Sequence, residues 1–195
     1  MSAVATTRTS GWASVAAWAD PRRLFLAAAG LAALWARPWL VTIGPPAFVL
    51  ALVFAALLGI GLAVPVEPHP IAGRRSSIAI AVLGCVVVVV AHSLVVGRAP
   101  VPLATRFVVL DIVAAVAEEA FFRRFLYGWL RPHGAMVAMI TTTVLFAVVH
   151  VSTYGAWVVP LDLAAGLLFA WQREASGRWS VPLVTHVVAN LLVVL

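Results

Sequence analysis

Lysine is absent from this 195-residue chain, and charged residues of any kind are scarce, at 10% of the total. An average soluble domain carries about 25%, so there is too little charge here to clothe a water-facing surface, and a soluble globular fold is excluded. One cysteine, Cys85 in "GCVVVVVAH", rules out an intramolecular disulfide and reads as a small core or lipid-facing residue. The thirteen arginines give a net charge of +6 but stand in ones and twos between apolar runs. Without a continuous basic patch to track phosphates, nucleic acid is excluded as a partner. No "HExxH", no "GxSxG", no nucleotide-binding glycine loop and no internal repeat occurs. The longest interruption between apolar segments, "PVEPHPIAGRRSS" at 65–77, leaves no room for a soluble catalytic domain, so any chemistry must be done by residues on the helices.

What is present is apolar: 64% of the residues are hydrophobic. Apolar segments at 24–36, 41–64, 78–96, 107–122 (extendable to 130), 135–150, 156–171 and 180–195 predict an all-α, polytopic membrane bundle of about seven transmembrane helices. Six is the alternative count, because "ARPW" at 36–39 interrupts the first segment and "GPP" at 44–46 offers another break. Residues 1–23 lack the layout of a cleaved signal and are expected to stay as a short cytoplasmic or interfacial arm. Residues 24–195 are then a single membrane domain. A cytoplasmic N-terminus places Arg8, Arg22, Arg23, Arg74, Arg75, Arg123, Arg124, Arg131, Arg173 and Arg178 inside, and Arg37, Arg98 and Arg106 outside. That asymmetry is the one expected of a multi-pass protein of the cell membrane with seven crossings.

Ionisable groups in hydrocarbon cost roughly 2.5–3.5 kcal/mol each on insertion scales and face a bundle interior. The candidates are Asp111, Glu118, Glu119, His150, Asp162 and His186, with His92 and Arg123 near helix ends and Asn190 as a buried amide. In "EEAFFRR", Glu118 and Glu119 lie about 100° apart around a helix, while Glu119 and Arg123 stand four positions apart and can pair. Glu119 is therefore anchored to Arg123, and Glu118 is left to face the cavity, with Phe121 and Phe125 as an apolar wall beside it. "FAVVH" sets Phe146 and His150 on one face, and "HVVAN" does the same for His186 and Asn190. Asp162 reads as a helix cap or packing residue before a histidine partner, and Asp111 as facing either the cavity mouth or the interface. A buried carboxylate that takes a proton from water, histidines that orient the water and an amide that meets a developing oxyanion suggest hydrolysis of an amide. The same Glu118, His150 and His186 are the set that would hold a divalent metal such as zinc.

These three stretches, "EExxxR" (Glu118, Glu119, Arg123), "FxxxH" (Phe146, His150) and "HxxxN" (His186, Asn190), resemble the CAAX prenyl protease and bacteriocin-processing (Abi) family of intramembrane endopeptidases over about residues 100–195, the motifs lying in 107–195. The resemblance implies that Glu118 activates water and that Glu119 and Arg123 support it. It implies further that His150 and His186 complete the site and that Asn190 stabilises the oxyanion. The substrate would be a membrane-associated protein or peptide, with a glutamate-type or metal-dependent mechanism. The alternatives are a noncatalytic immunity or complex-stabilising protein on the same scaffold, or a small transporter. Many relatives have glycine where this chain has Arg124, which is expected to narrow the site, to meet a substrate carboxylate or to mark the cytoplasmic edge.

Overall fold

The computed structural model describes residues 20–65, 72–95 and 105–194. Arg8, Arg98, most of the 1–23 arm and much of the 65–77 connection lie outside the described residues, as does the Arg106 side chain. Every regular element among the described residues is helical: α1 (Pro21–Leu40), α2 (Pro46–Ala63), α3 (Arg74–Val95), α4 (Thr105–Glu119), a π-helical stretch (Ala120–Leu126), α5 (Tyr127–Leu130), α6 (Ala135–Tyr154), α7 (Val159–Ser176) and α8 (Ser180–Val194), with short 3-10 turns at Arg131–His133 and Ala156–Val158. α4, the π stretch and α5 form one continuous rod, so the seven apolar segments become seven helical units, and the fourth takes the longer of its two predicted lengths.

Helix ends follow local chemistry. Asp20 caps α1 by accepting from the Arg22 and Arg23 amides at 3.0 and 3.4 Å, and Pro21 takes the first helical position, where its missing N–H costs nothing. The break expected at "ARPW" does not occur, since α1 runs through Pro38 to Leu40. Pro38 sits in the last turn, where it removes the bond to the Leu34 carbonyl and leaves little helix beyond it to distort. Gly177, at φ 69°, ends α7 by donating to the Arg173 carbonyl.

Packing runs in a closed cycle, α1 on α2, α2 on α4 and the π stretch, α4 on α8, α8 on α7, α7 on α6, and α6 back on α1, while α3 lies outside against α8 and α7. Large apolar side chains cover the exterior, among them Phe25, Ile43, Trp157 and the 81%-exposed Leu94. A surface of this kind is suited to lipid and not to water. Three helices are long and apolar enough to cross a membrane, Pro46–Ala63, Arg74–Leu94 and Ala135–Tyr154. The interior is aromatic: Phe121, Phe122, Phe125, Phe146 and Phe169 are fully or almost fully buried.

Two close approaches seat the π stretch. The Phe121 ring lies against Gly30 of α1, where any side chain would collide with it, and a Cβ on Gly61 of α2 would stand 2.6 Å from the Ala120 carbonyl carbon. Backbone cannot yield as a side-chain tip can, so Gly61→Ala is expected to destabilise the fold by about 1–3 kcal/mol. A thermal-unfolding comparison in detergent checks this, and an unchanged midpoint would contradict the packing described.

Candidate active site

The rod carrying "EEAFFRR" is the centre of the bundle. A π turn is wider than an α turn and leaves carbonyls unpaired, and here the Tyr127 amide bonds back five residues to Phe122. The guanidinium of Arg173 in α7 donates through Nε to the Arg123 carbonyl at 3.0 Å, anchoring the stretch to α7. Arg124 leaves the opposite side and donates to the Gly61 and Val64 carbonyls, the latter at 3.1 Å. The Gly61 carbonyl would normally accept from residue 65, but that residue is Pro65, which has no N–H. Arg124 therefore caps α2. None of the three roles expected of it describes that contact, because the orphaned carbonyl belongs to a helix sixty positions earlier.

The adjacent glutamates point to different neighbours. Glu119, 0% exposed, accepts from Nδ1 of His186 at 2.9 Å through Oε1, and its Oε2 lies 3.5 Å from Nε of Arg123, which is also 0% exposed. The pair is an ion pair without a direct hydrogen bond. Arg123 is held instead by donation to the Gly166 carbonyl at 3.2 Å and by the rings of Phe122, Phe146 and Phe169, 5.5, 4.7 and 5.4 Å from its guanidinium carbon.

Glu118 is 3% exposed. Its Oε2 stands 3.8 Å from Nε2 of His150 and 3.8 Å from Nε2 of His186. The two histidines thus meet one carboxylate oxygen from α6 and α8. Each imidazole is fixed from behind. Nδ1 of His150 lies 2.7 Å from the Phe146 carbonyl, and because a carbonyl only accepts, that nitrogen carries the proton. Nδ1 of His186 faces Glu119 in the same way. In the neutral tautomers both Nε2 lone pairs are thereby turned toward Glu118. Phe169 stacks on His186 at 4.8 Å, and Phe146 packs against His150 and His186 at 4.5 and 5.8 Å. The aromatic wall is thus made by Phe146 and Phe169, while Phe121 and Phe125 pack on each other at 5.9 Å, with Phe121 turned toward α1.

Asn190 lies one turn beyond His186 and donates to the Asp111 carbonyl at 3.1 Å, joining α8 to α4. The expected cap at Asp162 is not made: α7 has no side-chain cap, and Asp162 Oδ2 lies 3.9 Å from Nδ1 of His150. Arg37 was assigned by sequence to an outer loop. It is instead 7% exposed, at the end of α1, with Nη1 3.6 Å from Glu118 Oε1 and Nη2 donating to Thr153 at 3.0 Å. Arg123 and Arg173 are buried as well, so these three arginines are not loop markers of topology.

For zinc, the donors would be Glu118, His150 and His186. Tetrahedral ligands at 2.0–2.1 Å from the metal lie roughly 3.3 Å apart, closer than the 3.8 Å separations here. Among the described residues no group of three His, Cys, Asp or Glu side chains has metal-holding geometry. The arrangement as it stands does not fit a zinc ion.

A lipid-facing helical bundle that buries two carboxylates, two histidines and their counter-charges at its centre has the layout of a membrane-embedded hydrolase. Over residues 100–192, just under half of its length, the chain matches the family described as Type II CAAX prenyl endopeptidase Rce1-like. The match takes in Glu118, Glu119, Arg123, His150, His186 and Asn190, and it begins after α1, α2 and α3. No curated protein and no solved structure matches the chain.

Proposed function

We propose that the chain is an intramembrane endopeptidase that hydrolyses a peptide bond of a membrane-associated protein or peptide with water activated at Glu118. The observation that carries this reading is the approach of one Glu118 oxygen to two imidazole nitrogens, each at 3.8 Å and each presenting a lone pair. Acceptors at that spacing call for a shared donor, and a water molecule, which donates to two of the three, suits a polar gap beyond direct hydrogen-bond reach.

In the step inferred, the water O–H bond breaks and its proton passes to Glu118 Oε2 while the oxygen attacks the scissile carbonyl carbon. Glu118 then returns the proton to the departing amide nitrogen as the C–N bond breaks. The oxyanion would be met by the second N–H of Asn190, whose first is held by the Asp111 carbonyl. Glu119 and Arg123 hold His186 and the rod in place. A carrier or a noncatalytic immunity factor has no need of two imidazoles fixed from behind on one carboxylate.

Residues 24–195 act as one unit in this account, in the cell membrane, with seven crossings and a cytoplasmic N-terminus. Purified protein in vesicles, given membrane peptides, should produce new peptide termini, and transport without cleavage would overturn the proposal. Activity should persist after chelation to negligible metal content, verified by elemental analysis. Loss on chelation and recovery with zinc would reassign Glu118, His150 and His186 as metal ligands.

A further inference from the structure

Arg37 lies before the segment that carries the family match, yet it reaches the centre of the site. At the end of α1 its guanidinium touches three other helices. Nη1 lies 3.6 Å from Glu118 Oε1 of α4, Nη2 donates to Thr153 Oγ1 of α6 at 3.0 Å, and the guanidinium carbon lies 5.8 Å from the Phe54 ring of α2. Nε is buried without a hydrogen-bond partner. A guanidinium 7% exposed inside an apolar bundle is held there at the expense of its hydration, and it needs a counter-charge.

The charges divide into two pairs. Glu119 is matched by Arg123, four positions along the same rod, and Glu118 by Arg37 from a different helix. The two oxygens of Glu118 divide likewise: Oε1 faces the guanidinium and Oε2 faces the histidines. A carboxylate with a guanidinium against one oxygen has its rotation restricted.

We propose that Arg37 is a positioning residue of the peptidase site, holding Glu118 turned so that Oε2 meets the water. This rests on the role given to Glu118 above. The site is then completed by α1, which lies outside the family match, and a chain truncated to the matching segment would lack that cation.

The test is a double-mutant cycle on the full chain in vesicles, with Arg37→Met and Arg37→Lys made in the Glu118 protein and in Glu118→Gln. Arg37→Met should lower the thermal midpoint by about 5 °C or more where Glu118 carries charge, and by far less in the Gln background, since no carboxylate is left unpaired there. In the active background kcat should fall on the order of 100-fold with KM little changed, and Arg37→Lys should restore part of it. Folding of Arg37→Met in the Gln background alone is the same coupling in extreme form. Equal thermal losses in both backgrounds, or wild-type kcat in Arg37→Met, would overturn the proposal. If Arg37→Met folds in neither background, Arg37→Lys decides: a kcat reduced at unchanged KM supports the assignment, and wild-type kcat overturns it. Activity surviving in Glu118→Gln itself would remove the proposed role of Glu118, while the thermal coupling would still report on the ion pair.

Discussion

Glu118→Gln should abolish proteolysis while leaving the bundle folded and inserted. Glutamine has the same shape and its amide oxygen still faces Arg37, so the 3%-exposed side chain is replaced without a cavity or an overlap, and the loss of the Arg37 counter-charge should lower the thermal midpoint without unfolding the bundle. What it loses is the ability to take a proton from water. General-base catalysis contributes on the order of 10²–10⁴ in rate, and the neighbouring groups do not replace it. Glu119 is turned away, with Oε1 on His186 and Oε2 against Arg123. Asp162 lies behind His150, at Nδ1. The variant should therefore drop by at least that range in kcat, with an unchanged circular-dichroism spectrum and elution volume. Full activity in the purified Gln variant would remove Glu118 from the mechanism.

Arg123→Met should have the largest effect on stability. Arg123 and Glu119 are both fully buried, and the methionine would fill much of the space among Phe122, Phe146 and Phe169 while leaving Glu119 without its cation. Breaking a buried pair from one side costs about 3–5 kcal/mol, because the remaining charge is uncompensated. At roughly 2–4 °C per kcal/mol for a chain of this size, the midpoint should fall by about 6–20 °C. Adding Glu119→Gln should recover part of the loss, since no unpaired charge then remains. An Arg123→Met protein as stable as the parent would show that neither the charge nor the Gly166 bond of Arg123 contributes to stability.

Much of the site was legible because it is local. Glu118 and Glu119 diverge because adjacent helix positions do, and Glu119 meets Arg123 because four positions make one turn. The fourth helical unit had to continue past residue 122 if Glu118 was to reach the depth of His150, and it does, through the π stretch to Leu130. The rest depended on contacts between distant segments. Arg37 and Thr153 are 116 positions apart, and a lone arginine before proline between apolar runs has the same appearance whether it ends in a loop or a site. Arg124 depended on which carbonyls α2 leaves unpaired, and Pro65, which removes the donor, was the one local sign of it. Asp162 was drawn to the capping reading by Pro160, and only the approach of α6 to α7 shows that its carboxylate faces His150 instead.

Cells making the active protein and cells making Glu118→Gln, compared by mass spectrometry of their membrane peptides, test the central claim most directly. New termini present only with the active protein are predicted, and they would also identify the scissile bond. Identical peptide populations from the two, at equal protein levels, would contradict the assignment of Glu118 as the base of an intramembrane endopeptidase.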